Sequence, residues 1–152
     1  MRKFFILISL GFTLLLSNCN AGSSDKAKSN NTAGAVIALT NETFKQKVFN
    51  YELNKQWKFE GNLPVIIDLY ATWCGPCRQL SPRIEEIAKE YAGKIVVYKV
   101  DTDVEKQLSQ SMGIQSLPTI LFIPTKGKPQ AAMGALPKDD LVKAINEVLL
   151  VK

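Results

Sequence analysis

Two cysteines separated by two residues, Cys74 and Cys77, are the part of this 152-residue chain best suited to do chemistry. They stand in the run Trp73-Cys74-Gly75-Pro76-Cys77, just after the apolar stretch Val65-Ile66-Ile67-Asp68-Leu69-Tyr70. Where a strand gives way to a helix, that spacing puts both sulfurs on one helix face, so they can bond without straining the backbone. The unpaired amides and dipole of a helix N-terminus favour the thiolate of Cys74, the form that attacks a disulfide. Cys74 would form a mixed disulfide with a substrate, and Cys77 would displace it. Gly75 leaves the attacking sulfur accessible, and Pro76 stiffens the helix start. A purely static bridge would close too short a loop to constrain much.

Composition narrows the alternatives. The chain has no histidine, which removes Ser-His and Cys-His dyads and the commonest neutral metal ligand. Its three cysteines, Cys19, Cys74 and Cys77, cannot supply the four ligands of a structural zinc site. No metal and no cofactor beyond the cysteine pair are expected. Apolar residues make up 46% and charged residues 22%, the mixture of a packed globular domain. The net charge of +5 falls to +3 without Arg2 and Lys3. No basic stripe interleaved with aromatics is present, which argues against nucleic acid as a partner.

The elements that must position the cysteines alternate in type. Val36 to Leu39, Val65 to Tyr70, Ile95 to Val100 and Thr119 to Ile123 read as strands, with Gln130 to Met133 returning as an edge strand after a turn. Helices are expected over Glu42 to Phe49 behind a Thr40 cap, and from Cys74 to Tyr91 through Pro82. A short helix from Thr102 or Asp103 to Met112 and a last helix opened by Leu136-Pro137 complete the set. Leu80, Ile84, Ile87, Ala88 and Tyr91 should face inward from the second helix, and Leu141, Ile145, Val148 and Leu149 from the last. Alternation of this kind implies a central, partly parallel sheet covered on both faces. Between Asn50 and Pro64, Trp57 and Phe59 should pack as a lid over the core's edge, a partner-binding patch being the alternative.

The N-terminus reads as an address. A basic Met1-Arg2-Lys3 precedes an apolar run from Phe4 to Leu16, too short for the roughly 20 residues that span a bilayer but fit for a secretory signal. Leu16-Ser17-Asn18-Cys19 resembles the lipobox of bacterial lipoproteins, with Asn18 where Gly, Ala or Ser is usual. That implies lipidation at Cys19. Cleavage after Ala21 and an uncleaved anchor are the alternatives, and all three export the domain. Residues 1–18 are therefore expected to be a signal peptide, 19–34 a polar tether, and 35–152 the domain.

Beyond the residue types, Trp73-Cys74-Gly75-Pro76-Cys77 resembles the active-site signature of thioredoxins. Leu117-Pro118-Thr119 resembles the family's loop with a cis-proline, and Gly134-Ala135-Leu136 its later glycine turn. The resemblance runs from about Val36 to Leu149. It implies an α/β thioredoxin fold: a central five-stranded mixed sheet in the order 1-3-2-4-5, flanked by helices on both faces. It implies that Asp68 and Lys99 form a buried pair beneath the cysteines that helps deprotonate Cys77. Burial within an apolar strand should by itself raise the pKa of Asp68 and suit it as a base. Trp73, Gly75, Pro76, Leu117, Pro118 and Gly134 would form a shallow docking surface for proteins, core packing being the alternative for Trp73. Tyr70 departs from the family, where tryptophan is common, and the stretch from Asn50 to Pro64 is longer than usual.

Gly-Pro between the cysteines resembles reducing thioredoxins, whose potential is about −270 mV. Strong exported oxidants usually carry a different dipeptide, with a histidine that destabilises the disulfide. The expected activity is therefore a protein-disulfide reductase of the cell envelope, acting as a monomer on protein disulfides. In an oxidising compartment it needs a membrane electron carrier. The alternatives are an oxidase or isomerase, or a binding module that uses the cysteines only incidentally.

Overall fold

Runs of β-branched and aliphatic residues form the expected sheet in the computed structural model, which describes residues 33–150. The signal segment, Cys19 and all but the end of the tether lie outside the described residues. The strands are β1 (Val36–Ala38), β2 (Val65–Tyr70), β3 (Val96–Asp101), β4 (Thr119–Ile123) and β5 (Gln130–Met133). Their order is β1-β3-β2-β4-β5. Strand β3 runs parallel to β1 and β2, whereas β4 is antiparallel to β2 and β5. Central β2 is paired on both edges and covered on both faces, so Val65 through Leu69 are all buried. That is why its sequence is continuous rather than alternating.

The helices are α1 (Asn41–Lys47), α2 (Gly75–Glu90), α3 (Lys106–Ser111) and α4 (Lys138–Ala144), the last continuing into a π-helical turn over Ile145–Leu149. One face of the sheet, with Ile66, Val97, Ile120 and Phe122, packs on Leu80, Ile84 and Ile87 of α2 and on Leu141, Ile145 and Leu149. The other, with Ile67, Leu69 and Val100, packs on Phe44 and Val48 near α1 and Leu108 of α3. Tyr91 and Val148, expected inward, are only partly buried against the first core. The last helix is thus less regular than its spacing implies, and Pro137 caps it from outside the first turn.

Local chemistry fixes where the elements start. Thr40 caps α1 in a reciprocal box with Thr43, and the Asn41 N–H donates to Glu105 Oε2 at 2.8 Å. Helix α3 begins later than the sequence implies. Thr102 still donates its N–H to Tyr70 O at 2.9 Å, extending the β2–β3 ladder, and Glu105 N–H closes a turn onto Asp101 O. Only then is the backbone free to coil.

The stretch after α1 forms no regular element. Tyr51, Trp57 and Phe59 nevertheless pack on the α1 side of the core, with the Phe49 and Trp57 rings 4.8 Å apart. Glu60 N–H donates to Val48 O and ties the end of the loop back to its start. A Cβ at Gly61 would lie 2.5 Å from the Phe59 ring, so a larger residue there would push that ring aside. The segment is the lid its aromatics imply. Beneath it lies an apolar cavity of about 240 Å³ lined by Phe44, Phe49, Trp57, Met112 and Ile123.

Candidate active site

Strand β2 ends at Tyr70, and the chain turns through Ala71-Thr72-Trp73 into α2. Cys74 N–H donates to Ala71 O at 3.1 Å, which places Cys74 as the N-cap of α2 in an extended conformation (φ −74°, ψ 107°). Its Sγ accepts the Cys77 N–H at 3.2 Å, taking up one of the amides that a helix start leaves unpaired. Cys77 lies in the first turn, Cα atoms 5.3 Å apart, and the two sulfurs are bonded. Pro76 sits where no helical amide is needed.

The sulfurs are less open than Gly75 alone implies. Cys74 is 4% and Cys77 2% exposed, because Ala71, Tyr70 and Leu117 pack around them. Both residues are buried, so a partner must come close to the surface to reach either sulfur.

Asp68 is buried in the middle of β2, and its Oδ1 has no hydrogen-bond partner. Strand alternation puts it on the face of Ile66, which packs on α2. Burial raises its pKa from 3.8 to about 6, with the Lys99 charge pulling the other way. The expected buried pair needs correction. Lys99 is the register partner of Asp68 across β2 and β3, yet Lys99 is exposed. Its Nζ lies over the Tyr70 ring, 6.0 Å from the centroid. The long side chain follows the sheet and releases its ammonium to water, so it acts on Asp68 only at a distance.

The rim is built from three loops. Trp73 is 69% exposed, which rules out core packing, and its Nε1–H donates to Asp103 Oδ2 at 2.8 Å. The Leu117–Pro118 peptide is cis, as the resemblance implies, and Leu117 packs beside the cysteines. Gly134 adopts φ +92°, a conformation that side chains disfavour, and its N–H donates to Pro118 O at 2.9 Å. Between Trp73, Thr102, Ile114, Gln115 and Leu117 runs a shallow groove of about 340 Å³. Asp103, Arg78 and Arg83 were not marked by any motif. Arg78 Nη1 braces the loop through Thr72 O at 3.3 Å, and Arg83 Nη1 reaches the carbonyls of Ala135 and Leu136. Their partners are backbone atoms or lie 30 residues or more away in most cases, beyond any local signal. Among the described residues, no cluster of three or more metal-ligating side chains occurs.

The arrangement is a redox-active cysteine pair at a helix start, following a strand that buries a carboxyl. A family model described as Thioredoxin matches residues 35–147. A thioredoxin of Borreliella burgdorferi is 51% identical over 111 residues, covering 73% of this chain and 95% of that protein. Thioredoxin 1 of a Nostoc species is 37% identical, covering 76% and 98%. Among solved structures, a chloroplastic thioredoxin z superposes with a TM-score of 0.63 at 29% identity over 74% of this chain and 93% of the other. The Malassezia sympodialis thioredoxin gives 0.61 at 33% identity, over 76% and 91%.

Proposed function

The chain belongs to the thioredoxin family, and from that premise we propose that it reduces protein disulfides in the cell envelope. As a thioredoxin-like disulfide reductase it uses the Cys74–Cys77 pair itself as redox centre, without a further cofactor. The observation that carries the mechanism is the bonded pair at the N-terminus of α2, on the same sheet face as a buried, unpaired Asp68 carboxyl.

The steps follow from that geometry. In the reduced protein, Cys74 is the nucleophile, its thiolate favoured by the helix start. It attacks one sulfur of a substrate disulfide. A Cys74–substrate bond forms, the substrate S–S bond breaks, and the other substrate sulfur leaves as a thiolate. Asp68 then takes the proton of Cys77, and the Cys77 thiolate attacks Cys74 Sγ. The second substrate sulfur leaves, the substrate has gained two electrons, and the pair is left as the bonded disulfide seen here. Lys99, exposed above Tyr70, moderates the proton affinity of Asp68. Trp73, Gly75, Pro76, Leu117, cis-Pro118 and Gly134 form the surface on which an extended substrate segment docks. Return to the dithiol needs an electron donor, and in the envelope that donor is a membrane carrier.

The export reading rests on the basic start and apolar run of residues 1–16, and attachment on Cys19. Residues 1–18 act as the signal and 19–34 as the tether, and the tethered domain works as a monomer. In a bacterial host the full chain should fractionate with membranes, and Cys19→Ala should release it to the soluble periplasm. An unchanged distribution would count against the lipid.

The decisive chemical test is capture. Cys77→Ser should hold envelope proteins in dithiothreitol-sensitive adducts through Cys74, and Cys74→Ser should capture none and lose turnover. Adducts that persist without Cys74 would reverse the assigned roles. Release of the mixed disulfide should quicken as pH rises through about 6, where Asp68 becomes able to accept a proton. Asp68→Asn should remove that step from the profile.

A further inference from the structure

The two halves of the site come from distant parts of the chain, yet one helix holds both. The cysteines open α2, and the turn at Gly134-Ala135-Leu136 begins 57 residues after Cys77. A polar stripe on α2 connects them. Arg83 Nη1 donates to Ala135 O at 3.1 Å and to Leu136 O at 3.0 Å. Three and seven residues on, Glu86 and Glu90 both meet Lys138 Nζ, Glu86 at 3.2 Å. Residues at those intervals share a helix face. The segment from Ala135 to Lys138 is therefore gripped along one side of α2. Gly134 N–H donates in turn to Pro118 O, so the grip extends to the Leu117–Pro118 loop.

The contacts are not equal in weight. Those of Lys138 are largely solvated, and exposed ion pairs contribute little. Arg83 is partly buried, and its targets are loop carbonyls next to Pro137, which has no N–H and caps α4 without a side-chain bond. Both bonds come from one nitrogen, Nη1, whose two N–H groups lie in the fixed guanidinium plane, whereas a lysine ammonium sits on a flexible stem with no such plane.

We infer that Arg83 is a positioning residue that preforms the docking edge of the site, fixing the Gly134 turn relative to the sulfurs before a substrate arrives. The inference rests on the docking role given above to Leu117 and Gly134. A turn already ordered spares the binding step the entropy of ordering it. Arg83 touches neither substrate nor sulfur, so it acts on affinity for segments that lie along the turn and not on the disulfide exchange.

The test compares Arg83→Met and Arg83→Lys in the full chain. Loss of these hydrogen bonds is worth about a factor of five to ten in an equilibrium. With dithiothreitol as electron source, KM for insulin should rise by that factor in Arg83→Met while kcat stays unchanged. Oxidation of the pre-reduced protein, freed of dithiothreitol, by 5,5′-dithiobis(2-nitrobenzoate), a small disulfide with no chain to dock, should keep its rate. Arg83→Lys should recover part of the loss. Amide exchange at Gly134 should quicken by a similar factor, with Val97 in β3 unaffected. An unchanged KM for insulin, or equal losses on both disulfides, would overturn the inference even if the variant were less stable. If the unaltered chain failed to reduce insulin, the reductase reading would fall, and Gly134 exchange would still decide whether Arg83 holds the turn.

Discussion

Asp68 ties stability to pH in a direction unusual for a carboxyl. Its folded pKa of about 6 lies above the ordinary 3.8 because burial disfavours the charged form. Below 3.8 the group is protonated in both states and contributes no difference. Between 3.8 and about 6 the unfolded chain releases the proton and the folded chain keeps it, so stability falls as pH rises. Above that range the penalty is complete, about 2–3 kcal/mol for a shift of this size. Asp68→Asn in the oxidised protein should therefore raise the urea midpoint at pH 8 by an amount that fades towards pH 3.5. A gain independent of pH would show that the carboxyl is not desolvated as described. The chain keeps a destabilising group at its centre, as expected where a proton must be moved.

Among the elements, α1 and the loop behind it carry a different kind of prediction. Thr40 caps α1 with both arms of a capping box, and Thr40→Ala should cost about 1 kcal/mol, read from denaturant midpoints. Trp57 packs at 4.8 Å against Phe49 on the core side opposite α2. Trp57→Ala should destabilise by about 2–3 kcal/mol, below the range for a fully buried aromatic because Trp57 is half exposed. Its insulin-reduction rate at 25 °C should match the unaltered chain. A selective loss of activity at full stability would make the loop part of the docking surface instead of a lid.

At the scale of the molecule, the central sheet separates two cores with different duties. One, under α2 and α4, holds the helix that carries both cysteines. The other, under α1, α3 and the loop, closes the opposite face. The redox site sits at the end of β2, where the sheet hands the chain to α2. Its potential should depend on the helix start and little on the far core. The purified domain is expected to equilibrate near the family's value of about −270 mV against glutathione or dithiothreitol buffers. A value near −120 mV would move the reading to an oxidase. Variants in the far core should leave the potential in place while lowering the thermal midpoint.

The sequence alone determined the chemistry and the order of elements. A Cys-x-x-Cys after an apolar strand and before a helical pattern is local information, and so are the period-2 and period-3.6 runs and the Gly and Pro that bound them. Boundaries at α1, α2 and every strand fall within a residue or two of what those patterns imply. Tertiary structure decided the rest, because it depends on contacts across the chain. A strand pattern tells which face Lys99 shares with Asp68, but not that a flexible stem would carry the ammonium past the carboxyl to Tyr70. The tryptophan before Cys74 reads as part of the rim with core packing as the alternative, and the choice is made only when the fold exposes it and brings Asp103 beside it. Arg83 is one more charged residue on a helix until the fold delivers two carbonyls to its guanidinium. Side-chain reach and long-range pairing have no period in the sequence, and only the packed molecule fixes them.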